Sequence, residues 1–303
     1  MFRRGILVAT NNPGVSRFVR NYGMRMGAAR FVAGETLDEA VVVLRRLNDQ
    51  GLHTNTTLLG EGVRDEQMAA DVVTEYERIL DRIADEKLRT NIALKLTHLG
   101  LDIDEELAYR NVTRLVEHAA ARNNFIRIDM EESARVDSTL RIYQRLRADG
   151  HENVGTVLQA YLYRTQRDLG DLLPLNPNLR LVKGAYLEPS NVAYPEKADV
   201  DRNYVKLAER MLSGDGYTAI ATHDEAIINH VIDYTRNMGI GNDRFEFQML
   251  YGIRPQLQLD LVHRGYKVLV ATPFGHEWYF YLMRRLAERP ANSLFLLRNL
   301  ILK

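Results

Sequence analysis

Short runs of β-branched or apolar residues alternate along this chain with longer stretches in which apolar positions recur every three to four residues. Runs at 54–59, 91–96, 125–129, 154–159, 180–183, 217–222, 245–250 and 267–271 predict eight strands. Their starts are spaced by roughly 22–37 residues, close to the ~30 residues of a βαβ unit, and amphipathic patterns fill the intervals. No Pro-, Gly- or Ser-rich linker and no internal repeat divides the chain. The pattern therefore predicts one α/β domain, a (β/α)8 TIM-type barrel, in preference to a doubly wound sheet. The amphipathic stretch 36–47 falls before the first strand, so an N-terminal helical extension over residues 1–44 and a catalytic barrel over residues 45–303 are expected.

Composition narrows the partners. The 303 residues are 46% hydrophobic and 26% charged, with 40 basic against 40 acidic side chains. A net charge of zero without a basic block gives no electrostatic footprint for nucleic acid. No apolar run reaches the length of a membrane span, and the start Met1-Phe-Arg-Arg-Gly-Ile-Leu is too short an apolar stretch for a secretory signal, so a cytoplasmic protein is expected. Without cysteine, disulfides, thiolate metal sites and cysteine nucleophiles are excluded. The eight histidines show no HExxH or other paired spacing, and no metal is expected.

In a barrel, side chains at the C-terminal ends of the strands face the catalytic mouth. Those positions carry Lys95, Asp129, Gln159, Arg180, Lys183, Thr222, His223 and Gln248. After the eighth strand follows a predicted helix bearing Arg284, Arg285 and Glu288, spaced so that the acid can brace the guanidiniums. Paired arginines grip a carboxylate or phosphate through a planar fork. Polar groups in apolar strands cost about 1–3 kcal/mol each unless partnered, so their gathering at one end points to a site. Two chemistries suit it. Lys95 could form a Schiff base with a carbonyl substrate, as in an aldolase. Alternatively, the many donors could cradle a large polar cofactor that performs the chemistry itself, which the number of cationic groups favours. No GxGxxG follows the first strand, and Gly239-Ile-Gly241 lacks the third glycine, which argues against a Rossmann dinucleotide site.

Several stretches resemble the bacterial monofunctional proline dehydrogenases. They are Gly27-Ala-Ala-Arg-Phe-Val-Ala-Gly-Glu-Thr36, Ile128-Asp-Met-Glu-Glu-Ser133, Arg180-Leu-Val-Lys-Gly-Ala-Tyr-Leu-Glu-Pro189, Ala221-Thr-His223, Phe245-Glu-Phe-Gln-Met-Leu-Tyr-Gly-Ile-Arg254 and Arg284-Arg-Leu-Ala-Glu-Arg-Pro290. The resemblance spans nearly the whole chain. It implies an FAD-dependent (β/α)8 oxidoreductase acting on CH–NH groups, converting L-proline to 1-pyrroline-5-carboxylate. It further implies that Gln159, Arg180, Lys183, Gly184, Ala185, Tyr186, Thr222, His223 and Glu288 bind the cofactor. Lys95, Arg284 and Arg285 match the carboxylate-binding set, with Asp129 orienting the basic cluster, while Leu250, Ala271 and Tyr281 line the substrate pocket. A quinone or another acceptor would reoxidise the flavin. Association with a membrane is an open alternative in that case, although no segment resembles a strong anchor.

One position departs from the pattern. Where the family carries a tyrosine against the proline ring, this chain has Ala271, which enlarges the pocket unless Tyr251 or Tyr279 fills the gap. The same clamp could then serve an acyclic N-substituted amino acid or a hydrazino acid. From another class comes a non-catalytic flavin- or amino-acid-binding protein, against which stands the full set of cationic residues.

Overall fold

A computed structural model describes residues 28–60, 63–279 and 281–283. Helix α1, Leu37–Asp49, precedes strand β1, His53–Leu58. Seven helix–strand pairs follow: α2 Glu66–Asp85 and β2 Thr90–Leu94, α3 Glu105–Ala120 and β3 Ile126–Ile128, α4 Val136–Ala148 and β4 Val154–Gln159. Then come α5 Thr165–Leu172 and β5 Asn178–Val182, α6 Lys197–Leu212 and β6 Tyr217–Ala221, α7 Glu225–Asn237 and β7 Phe245–Leu250, α8 Pro255–His263 and β8 Val268–Phe274. All eight strands pair in parallel, each with its sequence neighbour, and β1 closes the barrel on β8. Each strand expected from the sequence is present and the fold is the expected (β/α)8 barrel. Helix α1 packs on β1 and β8 and crosses position 44.

The helices start where local chemistry provides an acceptor for their free N–H groups. Thr36 and Glu39 form a reciprocal capping box at α1, and Asp65, Asp104 and Asp224 cap α2, α3 and α7. Backbone N–H donors from Glu35 and Thr36 hold the Glu39 carboxyl below its ordinary range. In α2 the buried residues Ala69, Val73, Tyr76, Leu80 and Ile83 recur at three- and four-residue spacing, so one stripe meets the sheet.

Strand register sorts the side chains. Residues paired across a parallel ladder point to the same face, and neighbours along a strand alternate. Ile92, Ile126, Leu181, Ile220, Phe247 and Val270 lie on the outer face and are fully buried beneath the helices. The inner face is different. Arg127 of β3 pairs in register with Ala93 and Gly155, Arg180 of β5 with Val157 and Ala219, and Glu246 of β7 with Ala219. Small inward residues thus flank long polar ones, where many barrels stack branched aliphatics.

Gly155 shows the constraint most directly. A Cβ there would lie 2.4 Å from the Asn178 carbonyl oxygen and 2.5 Å from Arg127 Nη1, the guanidinium nitrogen that donates to that same carbonyl at 2.7 Å. Backbone on one side and a buried cation on the other leave little to move. Gly155→Ala is expected to destabilise the protein by about 1–3 kcal/mol through overpacking, read as a lower urea midpoint at unchanged slope. A variant as stable as the wild type would show that Arg127 can retreat.

Candidate active site

The mouth of the barrel collects residues from the ends of successive strands. Lys95 follows β2 and Asp129 follows β3, each half-buried. Gln159 closes β4 and is buried, Arg180 sits inside β5, and Lys183 and Gly184 follow that strand. Thr222 and His223 follow β6, Leu250 ends β7, and Ala271 lies within β8. Ala185 is exposed and Tyr186 half-buried on the loop beyond Gly184. Leu250 and Tyr281 pack against one cluster formed by Phe31, Trp278, Tyr279 and Leu282. Trp278 Nε1 donates to Glu35 at 2.7 Å, which ties the segment after β8 to the segment before α1 at the mouth. Arg284, Arg285 and Glu288 lie outside the described residues.

Arg180 is the centre of this arrangement. Its Nη2 forms an ion pair with Asp129, and its Nη1 donates to Gln248 Oε1 at 3.3 Å. Burial, reinforced by the nearby Arg127 and opposed by Glu246, pushes its pKa down to about 9. It therefore remains a cation at neutral pH. Its Nε is buried with no partner among the described residues, and so is Gln159 Oε1, whose own Nε2 donates to the Glu131 carbonyl at 3.2 Å. One orphaned donor and one orphaned acceptor at the same mouth are costly unless a ligand supplies both complements. A flavin ring, which carries carbonyl acceptors and ring N–H donors, fits that pair.

The loop after β5 is shaped for close approach. Gly184 has φ +113°, and a Cβ there would come within 2.2 Å of the Tyr161 ring. Lys183 Nζ is held between Asp201 of α6 and Asp224 at the start of α7, the latter at 3.0 Å. His223 Nε2 accepts from the Leu250 N–H at 2.9 Å, so the neutral ring carries its proton on Nδ1. Arg254 donates to the His223 carbonyl at 2.9 Å and fixes the turn that joins β6 to α7.

Other polar residues at the site were not among the sequence-derived candidates. Asn55 Nδ2 donates to Asn91 Oδ1 at 2.6 Å beside Ala271, and Glu246 and Arg127 lie buried deeper in the barrel. The signal was present in the alternation Phe245-Glu-Phe-Gln248 and Phe125-Ile-Arg-Ile-Asp129, which sends the polar residues to one face. Their strand positions lie below the mouth, so a search confined to strand ends passes over them. Tyr251 does not cover Ala271. It follows the inward Leu250 and so faces outward, and its hydroxyl accepts from Arg46 of α1 at 2.8 Å.

A parallel eight-stranded barrel whose mouth gathers polar side chains, two of them with a buried atom left for a ligand to complete, has the architecture of a barrel enzyme. The proline dehydrogenase family model matches residues 40–298, and the chain belongs to that family, whose members are flavoenzymes. It is 45% identical over 289 residues to proline dehydrogenase 2 of Bacillus subtilis strain 168, covering 95% of each protein. It is 40% identical over 305 residues to proline dehydrogenase of Deinococcus radiodurans, covering 99% of this chain and 98% of that protein. Among solved structures it resembles proline utilization A from Bdellovibrio bacteriovorus inactivated by N-propargylglycine, with a TM-score of 0.83 and 25% identity. That match covers 90% of this chain and 33% of the larger protein. Among the described residues no helix is long and apolar enough to cross a membrane.

The Lys183 cluster gives a pH test. Asp201 and Asp224 are pushed up by burial, but hydrogen bonds and charge from Lys183 and Lys197 outweigh it and leave both below their ordinary 3.8. A depressed folded-state pKa stabilises fully above the unfolded value and is lost as pH falls below it. Lys183→Met is therefore expected to lower stability to urea at neutral pH, with the deficit shrinking as pH drops below 3.8. A deficit that persists unchanged at about pH 2 would show that packing, not charge, is what the lysine provides.

Proposed function

We propose that this protein is an FAD-dependent proline dehydrogenase that oxidises L-proline to 1-pyrroline-5-carboxylate, with residues 45–303 carrying the catalytic barrel. The observation that carries this reading is the mouth itself: Gln159 Oε1 and the Arg180 Nε are buried and unpartnered there, one acceptor and one donor for a ligand to complete. Gln159, Arg180, Lys183, Gly184, Ala185, Tyr186, Thr222 and His223 would hold FAD, with Glu288 joining them. FAD, when bound, would supply the two-electron acceptor for the hydride lost from proline C5, the ring carbon on the far side of the nitrogen from the carboxylate.

The chain's own residues bind and orient. Lys95, with Arg284 and Arg285, grips the substrate carboxylate, which fixes the amine carbon relative to the cofactor and removes much of the entropic barrier. Asp129, paired with Arg180, keeps the cationic cluster from repelling itself apart. The cations proposed for the clamp, Lys95, Arg284 and Arg285, would disfavour a further cation, so the substrate amine binds neutral and its lone pair is available as the C=N bond forms. The nitrogen proton leaves to solvent. A quinone or another electron acceptor would complete the turnover.

Ala271 would open the pocket to a rival substrate class where Tyr279, buried in the cluster against which Leu250 packs, leaves the space unfilled. Ala271 faces inward beside Asn55 and Leu250, and with Tyr251 turned outward the space a tyrosine would fill is free of that ring. An acyclic N-substituted glycine or a hydrazino acid is therefore a second class of substrate.

The test is an anaerobic visible spectrum of the purified protein, titrated first with L-proline and then with acyclic secondary amino acids and hydrazino acids. Proline is expected to bleach the flavin band. A flavin that proline leaves oxidised while an acyclic acid bleaches it would transfer the activity to the second class, and a colourless protein would remove the cofactor assignment. Ala271→Tyr is expected to cut turnover of the acyclic acids by about tenfold while leaving proline within about twofold, as the loss or gain of one aromatic wall allows. Equal effects on both classes would detach Ala271 from specificity.

A further inference from the structure

Beneath the mouth, the barrel interior holds an acid that the reaction just described does not use. Glu246 of β7 is 3% exposed, and both of its oxygens are engaged. Oε2 accepts from Lys267 Nζ at 2.9 Å and from the Tyr217 hydroxyl at 3.1 Å, while Oε1 accepts from Gln248 Nε2 at 2.6 Å. Gln248, two residues on and equally inward, is 5% exposed and presents its Oε1 to Arg180 Nη1. The path thus runs from Lys267 at the base of the barrel through Glu246 and Gln248 to Arg180 and on to Asp129 at the mouth.

The chemistry of the two ends decides how the middle lies. A glutamine amide has nearly symmetric ends and turns over readily when its partners permit. Here they do not. An ionised carboxylate only accepts and a guanidinium only donates, so the Gln248 NH2 must face Glu246 and its oxygen must face Arg180. Turned the other way, Gln248 would set a donor against the buried Arg180 and an acceptor against the buried carboxylate, two mismatches in a low-dielectric interior. Three cations, Arg127, Arg180 and Lys267, lie around Glu246, and its ion pair with Lys267 makes the carboxylate the accepting partner.

We propose that Glu246 is a positioning residue of the active site, which sets the orientation of the Gln248 amide and through it anchors one arm of the Arg180 guanidinium beneath the cofactor. Asp129 holds the other arm from the mouth side. With both arms tied, the unpartnered Nε edge is the part of the guanidinium left for the flavin. This rests on the placement of Arg180 against FAD argued above.

Glu246→Gln keeps size and shape and removes only the acceptor-only character. The Gln248 amide is then free to turn, and Arg180 loses a fixed acceptor. In flavin-loaded protein, the midpoint potential of the flavin is expected to become more negative, because a displaced cation stabilises the reduced form less. The kcat for proline is expected to fall about ten- to hundredfold, the worth of a hydrogen bond to a charged group, with KM within about twofold because the carboxylate clamp is untouched. The double variant Glu246→Gln with Gln248→Glu reverses the polarity of the pair and returns an acceptor to Arg180. It should recover both potential and kcat. Gln248→Met removes the same acceptor while leaving Glu246 with Lys267 and Tyr217, and it should reproduce the single variant if Glu246→Gln does not fold. Arg180→Met serves as the reference. If it shifts the potential and neither Glu246→Gln nor Gln248→Met does, the relay is wrong and the placement of Arg180 stands. A double variant no better than the single also overturns the relay. If Arg180→Met leaves the flavin unaltered, the placement of Arg180 is wrong and the relay falls with it.

Discussion

Among the described residues two guanidiniums are enclosed within this barrel, and the architecture of the site follows from what each requires. Arg127 and Arg180 are 3% and 8% exposed, and burial pushes their pKa values down to about 10 and about 9. A buried cation persists only where acceptors surround it. Arg127 takes the Thr156 and Asn178 carbonyls, at 3.0 and 2.7 Å, and the missing side chain of Gly155 makes the room. Arg180 takes Asp129 above and Gln248 beside it, and Gln248 in turn depends on Glu246. The interior is therefore organised by hydrogen-bond complementarity, while the hydrophobic work of holding the fold is done between the outer face of the sheet and the helices.

This division explains how the protein combines stability with a polar centre. Residues such as Ile126, Ile128, Leu181, Phe247 and Val270 are fully or almost fully buried against helix stripes and supply the apolar burial that a barrel of this size needs. The inner positions are then released to carry charge. The cost is that each inner group depends on its neighbours. Gly155 depends on Arg127, Gln248 on Glu246, and the mouth leaves Gln159 and Arg180 each with one atom for a ligand to satisfy. A site that is incomplete in this way suits an enzyme whose cofactor is a large, polar, planar group.

The strands were legible in the sequence because each is a short, mostly apolar run between longer amphipathic patterns, and all eight lie where those runs fall. The residues at strand ends were legible for the same reason: once eight parallel strands are counted, Lys95, Asp129, Gln159, Lys183, Thr222 and His223 can only be at one end. The family runs added the roles proposed for them. The partners of these residues were not legible. That Lys183 is held by Asp201 and Asp224, from the two helices that follow, depends on how α6 and α7 pack. That the outward Tyr251 hydroxyl meets Arg46 depends on where α1 crosses the barrel wall.

By itself, then, the chain determined its class, its strand count, its lack of thiol chemistry and the end of the barrel at which chemistry gathers. All of these follow from local patterning and composition, which each segment carries with it. Tertiary structure decided which polar residues became neighbours across the barrel. Glu246 and Gln248 sit 66 and 68 positions from Arg180 in the chain, and Asp129 lies 51 away. No periodicity relates such distances. They are set by the closure of the sheet, whose register turns the inward residues of β3, β5 and β7 toward one another.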